Sequence, residues 1–208
     1  MRKIAILYSG NSVHHKTFYD PRFKKYIASH IYLPELASTA LDEFDVLYVP
    51  SQLNGHLLLQ SKEKIINFAE NGGIVAVFGP QPWTWIPNQN WEERPTNFWW
   101  WLEKDAKSGL NLVNPDYHLF HYITLADVTW HHHGVYWPIE GCEVLIATDD
   151  GGAIFYVDQV STKGTWIVAT IDPDYHFGSY FMPATERFLL GFFPWLIPIV
   201  FSVIGAIM

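Results

Sequence analysis

Asn71-Gly72-Gly73-Ile74-Val75-Ala76-Val77-Phe78-Gly79 is the stretch on which the fold turns. Five consecutive apolar residues, entered through a glycine pair and stopped by a glycine, make the pattern of a strand covered on both faces, as in a parallel sheet. Upstream, residues 57–70 carry Leu58, Ile65, Ile66 and Ala69 on one helical face, and Asn71-Gly72-Gly73 ends that helix well. The same strand-then-turn pattern occurs in Asp45-Val46-Leu47-Tyr48-Val49-Pro50 and in Ile4-Ala5-Ile6-Leu7-Tyr8, which runs into Ser9-Gly10-Asn11. Strands and helices alternating at this spacing predict β-α-β units with right-handed crossovers, hence an α/β, doubly wound, mostly parallel sheet.

Around these runs the spacing predicts a short helix over 23–29, a short strand over 31–33 and a second short helix over 35–44. Residues 80–97 are rich in Pro, Asn and Trp and lack an apolar period, so they read as a long loop of the kind that carries function. Further on, 134–137, 143–148, 153–157 and 165–171 are short β runs, with a hairpin turn at 159–164, so additional antiparallel strands are expected in the second half. Without an internal repeat, a charge block or a linker, 1–208 is expected to be a single domain. Residues 188–208 contain no formal charge, but Pro194 and Pro198 interrupt them. The reading is a closing helix that starts at 183–187 and ends near Leu196, leaving an apolar tail at 197–208 too short to span a bilayer alone. Packing of that tail in protein is preferred, with a partner or a membrane surface as the alternatives; a homo-oligomer is left open separately.

Composition narrows the function classes. An apolar share of 49% against 16% charged residues belongs to a globular chain, not a disordered one. A net charge of -8 offers no basic footprint for phosphate backbones, so nucleic acid is discounted as a partner. Cys142 is the single cysteine, which excludes an internal disulfide and any cysteine-cluster zinc site and suits a reducing compartment. The apolar run after Arg2 and Lys3 is shorter than the core of a signal peptide, so a cytoplasmic location is expected, with peripheral membrane association through the tail as its alternative.

The stretches 41–50 and 64–79, with the helix delivering a glycine pair into a strand, resemble the class I glutamine amidotransferase-like superfamily, and within it the ThuA-like branch associated with trehalose utilisation. The resemblance covers residues 3–80 well and implies a flavodoxin-like sheet with a nucleophile elbow in the turn after the third buried strand. It also implies that Asp172-Pro173-Asp174-Tyr175-His176, after the last strand, stands where active members place a histidine and an acidic residue. The chain departs from the family at the elbow, which reads Gly79-Pro80-Gln81-Pro82 and offers no thiol or hydroxyl. Glutaminase chemistry needs a thiolate beside a paired base, and Cys142 lies far along the chain between Glu140 and Glu143, so no glutaminase activity is expected.

Three sets of residues could carry chemistry. The turns at Ser9-Gly10-Asn11, Ser51-Gln52-Leu53-Asn54 and Gly79-Pro80-Gln81 are expected at the carboxyl ends of parallel strands, where such sheets bind ligands. Their amides and hydroxyls suit a small polar ligand, with Ser9, Gly10, Asn54 and Gln81 as contacts, although turn geometry selects the same residue types. Trp83, Trp85, Trp91 and Trp99 to Trp101 offer flat faces for stacking on a sugar derivative or for packing, and Trp83 is the candidate ligand contact among them. His118, His121, His131, His132, His133 and His176 crowd the second half. His176 with Asp174 is the candidate catalytic pair and His132 a candidate ligand contact. If 129–136 form a strand, His131 and His133 share a face, so a metal-activated water is conceivable, but no diagnostic spacing such as HExxH marks a site and no cofactor is assigned. The leading expectation is a diverged ligand-binding domain; a hydrolase using His176, with or without metal, and an interaction module using the Trp loop and tail are the alternatives.

Overall fold

The computed structural model describes residues 2–96, 98, 102–179 and 182–197. Five strands run parallel: β1 (Ile4–Tyr8), β2 (Ile27–Tyr32), β3 (Val46–Val49), β4 (Ile74–Phe78) and β10 (Thr165–Ala169), in the order β2-β1-β3-β4-β10. That is the flavodoxin-like order, and it confirms the α/β class read from the three apolar runs. Beyond β10 every pairing is antiparallel: β10 to β9 (Ala153–Asp158), β9 to both β8 (Glu143–Thr148) and β7 (Gly134–Tyr136), β8 to β6 (Leu110–Leu112), and β7 to β5 (Trp91–Glu93).

The continuous apolar runs are explained by burial on both faces. Ile4, Ile6, Val46, Tyr48, Ile74, Ala76, Phe78 and Ile167 point into one core, and Ala5, Leu7, Leu47, Val49, Val75, Val77, Trp166 and Val168 into the other. The first core is closed by α1 (Ser12–Phe18), α2 (Pro21–Lys24), α5 (Pro173–Gly178) and α6 (Pro183–Leu196), which contribute Phe18, Phe23, Phe177 and Phe192. The second is closed by α3 (Gly55–Gln60) and α4 (Lys62–Glu70) through Leu58, Ile65 and Phe68.

Several local expectations are corrected. The helix over 23–29 is instead α2, started early by the Asp20 cap and Pro21; by Ile27 the chain is already the edge strand β2. Residues 35–44 hold only a 3-10 helix, Leu33–Ser38. The helix over 57–70 is broken at Ser61, which ends α3 and begins α4. The long loop after β4 contains β5, and β6 and α5 were not anticipated. The closing helix falls as predicted, with Pro194 in its last turns and Leu196 at its end. Of the apolar tail, Ile197 is described and 198–208 lie outside the described residues. Among the described residues, no helix is long and apolar enough to cross a membrane.

Candidate functional site

The parallel register aligns the carboxyl ends of β3, β4 and β10, pairing Val49 with Val77 and Phe78 with Ala169. Gly79 follows β4 with φ of 81°, and a Cβ there would stand 2.5 Å from Cβ of Ser51, so only glycine lets the two turns approach this closely. Behind these turns lies a buried polar knot. Ser51 Oγ donates to Asp174 Oδ2 at 2.9 Å, Thr17 Oγ1 donates to the Asp174 carbonyl at 2.7 Å, and His14 Nε2 sits 2.8 Å from the Ser51 carbonyl and 3.6 Å from Asp174 Oδ2. Asp174 is fully buried; burial raises its pKa, while His14 and Ser51 oppose that rise. Ser51 gives its proton to the carboxylate and not to the imidazole, so this Ser-His-Asp set lacks the geometry of an activated nucleophile. It fastens α1 and α5 to the end of β3 instead.

On the other side of the start of α5 a second cluster forms. His176 Nε2 is 3.1 Å from His131 Nε2 and 3.4 Å from Asp172 Oδ1, and Asp172 Oδ1 also accepts from Trp130 Nε1 at 3.1 Å. All three residues are at most 6% exposed. Burial pushes the Asp172 carboxyl up to about 8 and both imidazoles down to about 4, the neighbouring histidines adding to the fall. Phe98 packs on His131 with ring centroids 4.6 Å apart, and Tyr175 packs on His176 at 5.1 Å.

Two cavities open beside this cluster. One, about 330 Å³, is bordered by Gln52, Leu53, Trp83, Trp91, Glu93 and His133, together with Pro80 to Pro82. The other, about 460 Å³, is bordered by Gln52, Phe98, His131, Asp172, Tyr175 and His176 among others. Gln52 and His133 border both, so the two form adjoining parts of one cleft. Gln52 adopts φ of 60°, a backbone state a non-glycine residue rarely holds.

The candidates named from sequence are only partly brought together. His176, Gln81 and Trp83 border the cleft. The Trp83 ring rests on Gly55 and on His56, with 4.3 Å between the Trp83 and His56 ring centroids. Gln81 is buried, and both ends of its amide are engaged, donating to the Phe78 carbonyl and accepting from Trp85 Nε1. Ser9, Gly10, Asn54 and His132 border neither cavity. Asn54 caps α3 by accepting from the His56 and Leu57 amides, Ser9 accepts from Asn11, and Gly10 lines a separate small cavity with Tyr8 and His14. Asp174 belongs to the polar knot, and it is Asp172 whose carboxylate meets His176. His131 and His133 do share a side, as alternation suggested, although the strand there spans only Gly134–Tyr136. His131 with Asp172 or Asp174 stood as a conceivable metal set and Gln52 as part of a strand-end turn, none of them assigned to the site, whereas Glu93 carried no signal in the sequence. Trp99 to Trp101 lie outside the described residues.

Solved structures share this fold at low sequence identity. A cytoplasmic protein of Salmonella typhimurium LT2 aligns with 93% of this chain and 98% of its own at 10% identity, with a TM-score of 0.57. A glutamine amidotransferase of Thermotoga maritima aligns over the same shares of the two chains at 8% identity and a TM-score of 0.54. The fold is one that a glutamine amidotransferase also has. An exo-β-1,4-mannosidase of an Opitutaceae bacterium, strain TAV5, also aligns with 93% of the chain, at 10% identity and a TM-score of 0.52, and this chain spans only 35% of the mannosidase. No protein-family model matches the sequence, and no curated protein matches it.

The turn after β4 carries Gly79 and Pro80, and among the described residues no thiol borders the cleft. Cys142 sits in the turn before β8, where burial and the nearby Asp158 carboxylate push its thiol up to about 11.

Proposed function

We propose that the strand-end cleft binds a small neutral polar ligand of the carbohydrate class, without glutaminase activity. The observation that carries this reading is the cavity bordered by two tryptophans and by Gln52, Glu93 and His133. Indole faces match the apolar C–H face of a sugar ring, and amide, carboxylate and imidazole groups match its hydroxyls in both hydrogen-bonding senses. At about 330 Å³ the cavity is of the size that small-molecule sites occupy. One neighbour in fold is a mannosidase by name, which agrees in ligand class while the fold alone is shared. A ThuA-like affiliation would point the same way.

The test is calorimetric titration with mannose, glucose, galactose, trehalose and their phosphates, with glutamine as the control. Saturable binding of at least one sugar is expected, weakened about tenfold or more in Trp83→Ala, the loss typical of truncating an aromatic anchor. Binding unchanged in that variant, or none across the panel, overturns the reading. A hydrolase using His176 is the second reading, and the convergence of His131, Asp172 and His176 on one point is what favours it.

A further inference from the structure

We infer that His131, Asp172 and His176 form a binding site for one divalent transition-metal ion, of which zinc is the representative member, on the floor of the cleft. Their ligand atoms all lie within 4.8 Å of one another, and they come from three separate positions: the segment before β7, the residue preceding α5, and α5 itself.

The spacing is the main argument. Two donors each about 2.1 Å from one metal, at the right-angle or tetrahedral angle of ordinary coordination, stand about 3.0 to 3.4 Å apart. His131 Nε2 and His176 Nε2 are 3.1 Å apart, and His176 Nε2 and Asp172 Oδ1 are 3.4 Å apart. Two imidazoles with one carboxylate is a donor set that suits zinc, iron, cobalt or manganese in the divalent state and leaves positions for water or substrate. The cavity bounded by Phe98, Tyr175 and Ser179 lies beside the three ligands, where those positions would open. A supporting contact is present as well: the Trp130 indole donates to Asp172 Oδ1 and sets the orientation of the carboxylate.

This site goes beyond the sugar reading, and its test needs no sugar. Tag-free full-length protein is stripped with EDTA and titrated with zinc, followed by melting temperature and calorimetry, and with cobalt, followed by its visible ligand-field absorption. One equivalent of zinc is expected to bind and raise the melting temperature, and cobalt to give a band of low-symmetry coordination. Asp172→Asn keeps the size of the side chain and an acceptor for Trp130, and is expected to abolish both signals, as is His131→Ala. Trp130→Phe is expected to weaken zinc roughly 10- to 100-fold, the effect of losing an outer-shell partner. Trp83→Ala, which disables the sugar cavity, is expected to leave metal uptake unchanged, so failure of one site does not imply failure of the other. Absence of stoichiometric uptake by the wild type, or equal uptake by folded Asp172→Asn and His131→Ala, overturns the inference.

Discussion

Asp172 and Asp174 stand two residues apart, yet the start of α5 sends their carboxylates into different surroundings, one to His176 and Trp130, the other to Ser51 and His14. Asp174 therefore has a positional task that can be measured. Ser51→Ala removes a hydroxyl donor from a fully buried carboxylate, and urea unfolding is expected to show a loss of about 1 to 3 kcal/mol. A loss below a few tenths would refute that role. Cys142 gives a pH prediction. Its raised pKa, about 11, means that the folded thiol keeps its proton through the range where an ordinary cysteine ionises. Alkylation by iodoacetamide is expected to be slow at pH 8 to 9 and to keep accelerating toward about 11, whereas the urea-unfolded chain levels off near about 9. A folded-state plateau near pH 8.5 would contradict this. The residue types of the site were legible in the sequence, since His176, Trp83 and Gln81 do border the cleft. The choice between Asp172 and Asp174, or among His131, His132 and His133, was not. Asp-Pro-Asp and His-His-His present equivalent groups: alternation sets His132 apart but does not choose between His131 and His133, and Asp172 parts from Asp174 only because one precedes α5 and the other lies in it.

Elements buried on both faces were the legible ones. β1, β3 and β4 are uninterrupted apolar runs, and β10 is one from Trp166 onward, because both cores need them, and α6 shows its start in Pro183 and its apolar face in Phe188, Phe192 and Trp195. β5 and β6 are three residues long, too short for an alternation to register, and their pairing with β7 and β8 is set by distant partners. The break at Ser61 escaped notice because α3 and α4 face the same core, so the apolar positions of the two helices read as one continuous face. At this scale Gly79→Ala is the informative substitution. It imposes a side chain at φ of 81° and a 2.5 Å clash with Ser51, so a loss of about 2 kcal/mol or more is expected in thermal unfolding. Phe192→Ala, in the first core against Tyr48 and Phe78, is expected to cost about 3 to 5 kcal/mol. A near-neutral result for either would show that the packing around it differs from that described.

The whole molecule sets a parallel half beside an antiparallel half, and the cleft lies where they meet. Its walls come from the turns after β3 and β4 on one side and from β5 and the segment before β7 on the other, with α5 at its floor. Native-state hydrogen exchange is expected to be slowest in β1, β3, β4 and β10, which are paired on both sides and buried on both faces, and faster in β5 and β6 at the margins. Uniform protection across the sheet would contradict that gradient. Whether a sugar-like ligand binds in the cleft is read out by chemical-shift mapping. Isotope-labelled protein is titrated with the sugar of highest affinity, and the backbone and indole signals are followed. Shifts confined to Gln52, Trp83, Trp91, Glu93 and His133 are expected; shifts centred instead on the cavity near Phe44 and Asn71, at the opposite ends of the strands, would contradict binding in the cleft.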